Sequence, residues 1–330
     1  MPKHKQWFVV FLAGFFIFFI SWIGDFTPSL YVRSARDRET LDSTIKLVFV
    51  GDVMMDRSVR RVVETDGAGD YMFLFKYIRE MLVGADILFG NLEGPISDIG
   101  KRRGSIYSFR MDPISVEALR GVGFDIVSLA NNHMGDYGRE AMEDTFSRLG
   151  SAGILYVGAG KSENEAIAPV ILERGGTRVG FLAFSDVGPV WMRAGPALSG
   201  IALADPDIIT SAIRQARMSV DILVVSYHFG EEYKTHFQKR QEDLAYRAID
   251  EGADIVIGHH PHVPEEIEYY KNGVIAYSLG NFIFDQAFSA DTKRALLLKI
   301  TLAKKKIIAV EPVPIVFNEY FQPIIKTLQH

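Results

Sequence analysis

Three imidazoles crowd one turn of the chain. Gly258-His259-His260-Pro261-His262 directly follows the apolar run 253–257 and carries three of the eight histidines. A turn needs no imidazole for its own geometry, whereas a metal ion needs several neutral donors in one place. His260 and His262 stand two apart, so an extended backbone would point both to one side, with Pro261 restricting the chain between them. By the same alternation His259 should face away.

The pattern recurs upstream. Asp52 follows "IKLVFV" (45–50), and Asn91 and Glu93 follow "ADILFG" (85–90). Asn131, Asn132 and His133 follow "FDIVSLA" (124–130), and His228 follows "DILVVSY" (221–227). Each of these runs is apolar on consecutive positions and rich in β-branched residues, as a strand covered on both faces should be. Every candidate thus sits at the C-terminal end of a buried strand, and in an open α/β sheet those ends share the rim where ligands bind. Two divalent ions about 3.5–4 Å apart would need a bridging carboxylate and several nitrogen or oxygen donors. Asp52 and Glu93 supply carboxylates, Asn132 an amide oxygen, and His228, His260 and His262 imidazoles. His133 need not be a ligand, because it could protonate a leaving oxygen.

Taken singly, each residue has a plainer reading. Asp52 after a glycine could cap a helix, and Glu93 before Gly94-Pro95 could belong to a turn. Asn131-Asn132 could be a left-handed turn, and a lone His228 could be a hydrogen-bonded core histidine. Joint placement at five strand ends favours the metal reading.

The elements that must position these groups follow from the same alternation. Helix-like stretches at 139–149 and 240–251 separate the apolar runs, and Asp205-Pro206 forms an N-cap and N1 pair ahead of another. The chain is therefore expected to be α/β with a largely parallel or mixed sheet. The tail 291–330 reads as further strands, including a hairpin. A net charge of −5 offers no basic stripe and argues against a nucleic-acid partner. With no cysteine, disulfides and sulfur-held zinc are excluded, so a metal must use His, Asp, Glu and Asn.

The first residues differ from the rest. A basic stretch at 2–5 precedes "WFVVFLAGFFIFFISWI" (7–23), which carries no charge. Such a helix would reach roughly 25 Å, slightly short of a hydrocarbon core of ~30 Å. The expectation is a membrane anchor or signal segment over 1–24, a polar linker over 25–44 and one domain over 45–330. The positive flank would stay inside, giving a single-pass cell-membrane protein with an extracytoplasmic domain. A cleaved signal peptide is the competing reading.

The motifs "GDVMMDR" (51–57), "NLEGPI" (91–96), "ANNHMGDYG" (130–138), "HFGEEY" (228–233), "GADIVIGHHPHV" (252–263) and "YSLGNFIFD" (277–285) stand in this order. The set resembles the bacterial capsule-synthesis CapA/PgsA family, associated with poly-γ-glutamate, itself similar to calcineurin-like metallophosphoesterases. The resemblance implies a four-layer α/β/β/α sandwich and one or two divalent ions (Mn, Fe, Zn or Mg). It also implies Asp52, Glu93, Asn132, His228, His260 and His262 as ligands, with His133 at the leaving group or phosphoryl. Met54 stands where the wider superfamily places a histidine ligand, so one position lacks a nitrogen donor. Asn91, Asn131, Glu232 and Asn281 fall within the motifs as candidate substrate contacts.

Three functions follow as expectations. The first is a metal-dependent hydrolase of capsule synthesis, using a metal-activated water on a phosphoryl or amide substrate. The second is a non-catalytic factor on the same fold that handles an anionic polymer beside the capsule synthesis machinery. The third is a metal-free wall-binding module.

Overall fold

Alternation along each strand decides which layer its side chains enter. The computed structural model describes residues 44–103 and 106–326. Its strands, in chain order, are β1 (Ile45–Val53), β2 (Ile87–Leu92), β3 (Ile126–Ser128), β4 (Leu155–Val157), β5 (Ala159–Gly160), β6 (Val170–Arg174), β7 (Thr177–Ser185) and β8 (Gly200–Ile201). These are followed by β9 (Ile222–His228), β10 (Ile255–His259), β11 (Ile267–Tyr270), β12 (Gly273–Ala276), β13 (Asn281–Ile283), β14 (Arg294–Ala303), β15 (Lys306–Phe317) and β16 (Pro323–Ile325).

One sheet has the order β16-β15-β14-β1-β2-β3-β4, with β13 also on β1. Its β1 to β4 half is parallel and its β14 to β16 half antiparallel. The second sheet has the order β11-β12-β10-β9-β7-β6, parallel in the centre with antiparallel edge strands. Antiparallel edges are expected where a hairpin rather than a crossover helix closes the sheet.

Leu47, Phe49, Phe89 and Ile300 of the first sheet form one buried cluster with Phe181, Val224, Ile255 and Ile257 of the second. The alternate positions Val48, Leu88 and Val127 pack instead on Val63, Leu119 and Phe146 of the helices Arg57–Thr65, Ser115–Val122 and Gly138–Ala152. Val225, Val256 and Ile275 likewise meet Ile213 and Leu244 of Pro206–Arg217 and Lys239–Glu251. The layers therefore run helix, sheet, sheet, helix, the four-layer α/β/β/α arrangement that the motifs imply. Asp205 caps its helix as expected, accepting from the backbone N–H of Asp207 at 3.1 Å. The tail forms the antiparallel pair β14 and β15.

The expected single-pass membrane location is corrected. Among the described residues, no helix is long and apolar enough to cross a membrane. The segment 7–23 and the linker 25–44, apart from Thr44, lie outside the described residues. The compact unit begins at Ile45.

Candidate metal centre

The inner faces of both sheets run out of apolar residues at the C-terminal ends of their parallel strands. On β2 the inward series Ile87, Phe89 continues to Asn91; on β9 Ile222, Val224 continues to Ser226 and His228; on β10 Ile255, Ile257 continues to His259. His259 pairs directly with His228 in the ladder, so both project into the same layer. The expectation that His259 faces away is thus corrected.

Asp52 reaches that layer through a bulge. Simple alternation from Leu47 and Phe49 would turn Asp52 outward. Phe49 pairs with Phe89 and Asp52 with Asn91, so three steps on β1 oppose two on β2 and the parity is reset. Gly51 allows this, since a Cβ there would lie 1.8 Å from the carbonyl oxygen of Gly280.

Glu93 follows β2, held by its N–H on Val53 O at 2.9 Å. His260 and His262 do not sit on extended backbone as their spacing suggested. Their φ values are 99° and 59°, in the left-handed region where side-chain-bearing residues are uncommon. Such strained residues persist where surroundings hold them, and they cluster at functional sites. The turn brings their ring centroids within 5.8 Å of each other and sets His260 4.7 Å from His228.

The donor atoms form two groups, Asp52–Glu93–His228 and Glu232–His260–His262, the atoms within each lying within 4.8 Å of one another. Asn132 Oδ1 lies 2.8 Å from His228 Nε2, beside the first group. Glu232, expected as a substrate contact, here stands among the candidate ligands. Asn91, Asn131 and Asn281 lie behind the donors and are fully buried. The Asn91 amide donates to Asp52 Oδ1 at 2.9 Å and Glu93 Oε2 at 3.3 Å. Asn131 donates to Asn91 Oδ1 at 3.1 Å and accepts the His133 N–H at 3.1 Å. Asn281 Oδ1 accepts from His262 Nδ1 at 2.9 Å, which leaves Nε2 facing Glu93 Oε1 at 3.7 Å. These amides position carboxylates and imidazoles, as outer partners of a metal site do.

The electrostatics fit a cation. Burial, then the charges of Asp52, Glu232 and Asp136, push the Glu93 carboxyl well above its ordinary range. Burial also acts upward on Asp52, but the His259 and His262 imidazoles outweigh it and hold that carboxylate well below its usual range. Burial, and then His260, keep His228 low; burial, and then His262, bring His260 down to about 4. Neutral imidazoles are the ligating form. Glu93 Oε1 and His260 Nδ1 are buried with no hydrogen-bond partner among the described residues. Unpartnered acceptors on hard and borderline donors, without sulfur, suit a divalent ion of the Mn, Fe, Zn or Mg kind. Met54 contributes nothing here: it is fully buried in the outer core, and its Sδ accepts the Asp56 N–H at 3.2 Å.

His133 stands at the mouth. Its Nδ1 lies 2.8 Å from Asp136 Oδ2, its Nε2 is 3.8 Å from Glu93 Oε1, and its ring packs on Phe109 at 4.0 Å. A cavity of about 560 Å³ opens there, lined in part by Arg57, Asn132, His133, Glu232, Tyr233 and His262. Asp136 escaped the sequence reading, although its place three residues after His133 was a usable signal. Arg57 and Tyr233 end the motifs 51–57 and 228–233, but only tertiary packing brings them to the cavity.

Residues 46–286 match the model of the bacterial capsule synthesis protein PGA_cap family. The chain belongs to that family. It is 36% identical over 281 residues to the "PGA biosynthesis protein CapA" of Bacillus subtilis (strain 168), covering 84% of this chain and 73% of the relative. It is 35% identical over 293 residues to the "Capsule biosynthesis protein CapA" of Bacillus anthracis, covering 86% and 69% respectively. Among solved structures, a hypothetical protein from Thermus thermophilus is similar in fold, with a TM-score of 0.50, 19% identity and coverage of 82% of this chain and 98% of that one. All six sequence motifs of this PGA_cap member lie within the matched span.

Proposed function

We propose that this PGA_cap domain is a metal-dependent hydrolase of capsule or poly-γ-glutamate synthesis, acting on a phosphoryl or amide bond of an anionic substrate. The observation that carries the reading is the pair of donor groups, Asp52–Glu93–His228 and Glu232–His260–His262, beside a cavity lined by Glu232 and His262 of the second group and by His133, which is backed by Asp136 and lies 3.8 Å from Glu93. A divalent ion, when bound, supplies Lewis acidity and makes water a nucleophile near neutral pH. Asn132 would complete the ligand set beside His228. Asp136 fixes His133 Nδ1, so Nε2 is the atom that exchanges a proton with the leaving group, and the carboxylate steadies the imidazolium. Arg57 lines the cavity paired to Asp285 at 3.1 Å, and its guanidinium has further N–H donors for the substrate's negative charge. The names of the relatives bring the capsule polymer to this chain as the substrate class.

One observation favours a second reading, in which the domain holds the polymer without turnover. Met54 packs into the core where a nitrogen donor is otherwise expected. The test is metal content of the purified chain, together with turnover of a phosphodiester, a phosphomonoester and a γ-glutamyl amide by parent and His133→Gln. Stoichiometric metal and turnover lost on substitution support the hydrolase. Metal with polymer binding and no turnover of any substrate would establish the holding role instead. Absence of metal after incubation with excess Mn²⁺ and Zn²⁺ would refute the hydrolase and leave the holding role.

A further inference from the structure

His259 takes no part in the ligand set above, yet its surroundings do not suit a structural residue. It is 1% exposed, and neither ring nitrogen has a hydrogen-bond partner among the described residues. A neutral imidazole carries one N–H donor and one acceptor; here, among the described residues, Nδ1 has only the Asp52 carboxylate near it and Nε2 has no partner, an unfavourable burial for a residue kept for packing. A core histidine kept for packing would be hydrogen-bonded or replaced by an apolar ring.

We propose that His259 is itself a ligand of the metal centre, supplying through Nδ1 the nitrogen that position 54 does not. This rests on the metal reading above. Nδ1 lies 3.3 Å from Asp52 Oδ1, outside hydrogen-bond geometry. Two donors on one ion with bonds of about 2.1 Å lie about 3.0–3.4 Å apart, so this separation is that of atoms sharing a cation. The ring has little freedom to turn elsewhere. Its residue is paired to His228, its carbonyl accepts the Phe229 N–H at 3.1 Å, and the Phe89 ring stands 6.2 Å away. The preceding Gly258 is pressed against Tyr277, where a Cβ would lie 1.8 Å from the carbonyl oxygen. Met54 meanwhile is engaged with the Asp56 N–H and the outer core. The donor lost from the loop after β1 is thus regained from the end of β10, on the opposite sheet, and the Asp52 side of the centre keeps its nitrogen count.

The test is a Mn²⁺ titration of the full chain followed by electron paramagnetic resonance, with metal per chain by mass spectrometry, for the parent, His259→Phe, His259→Asn and His260→Ala. Phenylalanine keeps the ring's packing and cannot ligate; asparagine retains a weaker donor near Nδ1. Near-ultraviolet circular dichroism establishes that each variant is folded. The expected result is loss of one Mn²⁺ or at least a ~10-fold weaker affinity in His259→Phe, with His259→Asn between it and the parent. His260→Ala serves as the control for the second donor group. If both His259 variants bind Mn²⁺ as the parent does while His260→Ala does not, His259 is not a ligand and the metal reading survives. If the parent binds no Mn²⁺, the metal reading and this inference fail together. Should His259→Phe not fold, the asparagine variant decides alone, parent-like affinity overturning the inference.

Discussion

Replacing Gly51 by alanine tests the link between backbone and site directly. The added Cβ would lie 1.8 Å from Gly280 O, whereas real Cβ atoms essentially never approach within 3.0 Å, so the two segments must separate by more than an ångström. That movement breaks the hydrogen bond from Asp52 N–H to Gly280 O, now 3.0 Å. It also removes Asp52 from His260 N–H at 3.3 Å. Overpacking of this kind costs about 1–3 kcal/mol, and a buried N–H left without its partner adds about 1–3 kcal/mol. We therefore expect a loss of roughly 3–5 kcal/mol in unfolding free energy by urea denaturation. Because Asp52 follows immediately, metal per chain should fall as well. A variant destabilised by less than about 1 kcal/mol, with metal content intact, would refute the claim that the bulge at Gly51 delivers Asp52 to the inner layer.

Asn281→Leu removes the acceptor that orients His262 and should weaken metal affinity about 10- to 100-fold by isothermal titration, with the fold retained. Asp136→Asn keeps an acceptor for the Phe109 N–H but no longer supports a charged His133; turnover should fall at least ~10-fold while metal content stays at the parent level. Glu265 provides a pH test away from the centre. Burial, only partly offset by the Gln241 amide at 2.6 Å, raises its carboxyl to about 7. An acid raised in the folded state retains its proton there while the unfolded chain has lost it. This group therefore lowers stability as pH rises between its ordinary value of 4.5 and about 7, with the full penalty above that window. Glu265→Gln should consequently melt higher than the parent at pH 8, by an amount of order 2 kcal/mol, and equal it near pH 4; a constant difference across this range would count against the assignment.

The alternation of apolar runs with helical stretches was enough to place β1, β2, β3, β9 and β10 and the capped helix at Pro206. It also placed Asp52, Glu93, Asn132, His133, His228, His260 and His262 at strand ends, because buried parallel strands are continuous apolar runs whose ends are punctuated by polar residues. Side-chain direction was less legible. A two-residue period cannot foresee the bulge that turns Asp52 inward, nor the positive φ values that aim His260 and His262. Local pattern likewise could not separate ligand from support. Asn91, Asn131 and Asn281 share the motifs with the candidate donors, and only the structure shows that they are fully buried and hydrogen-bonded behind them.

By itself, the sequence determined the chemistry on offer: no thiolate, a fixed stock of imidazole, carboxylate and amide, and the rim of an α/β sheet as their place, since composition and periodicity are properties of the chain alone. The tertiary structure decided which of those groups meet. It faced His259 toward Asp52 and His262 toward Glu93, each pair joining one sheet to the other. Each of these depends on how two sheets register across a common core, and that register is a long-range property carried by no local stretch of residues.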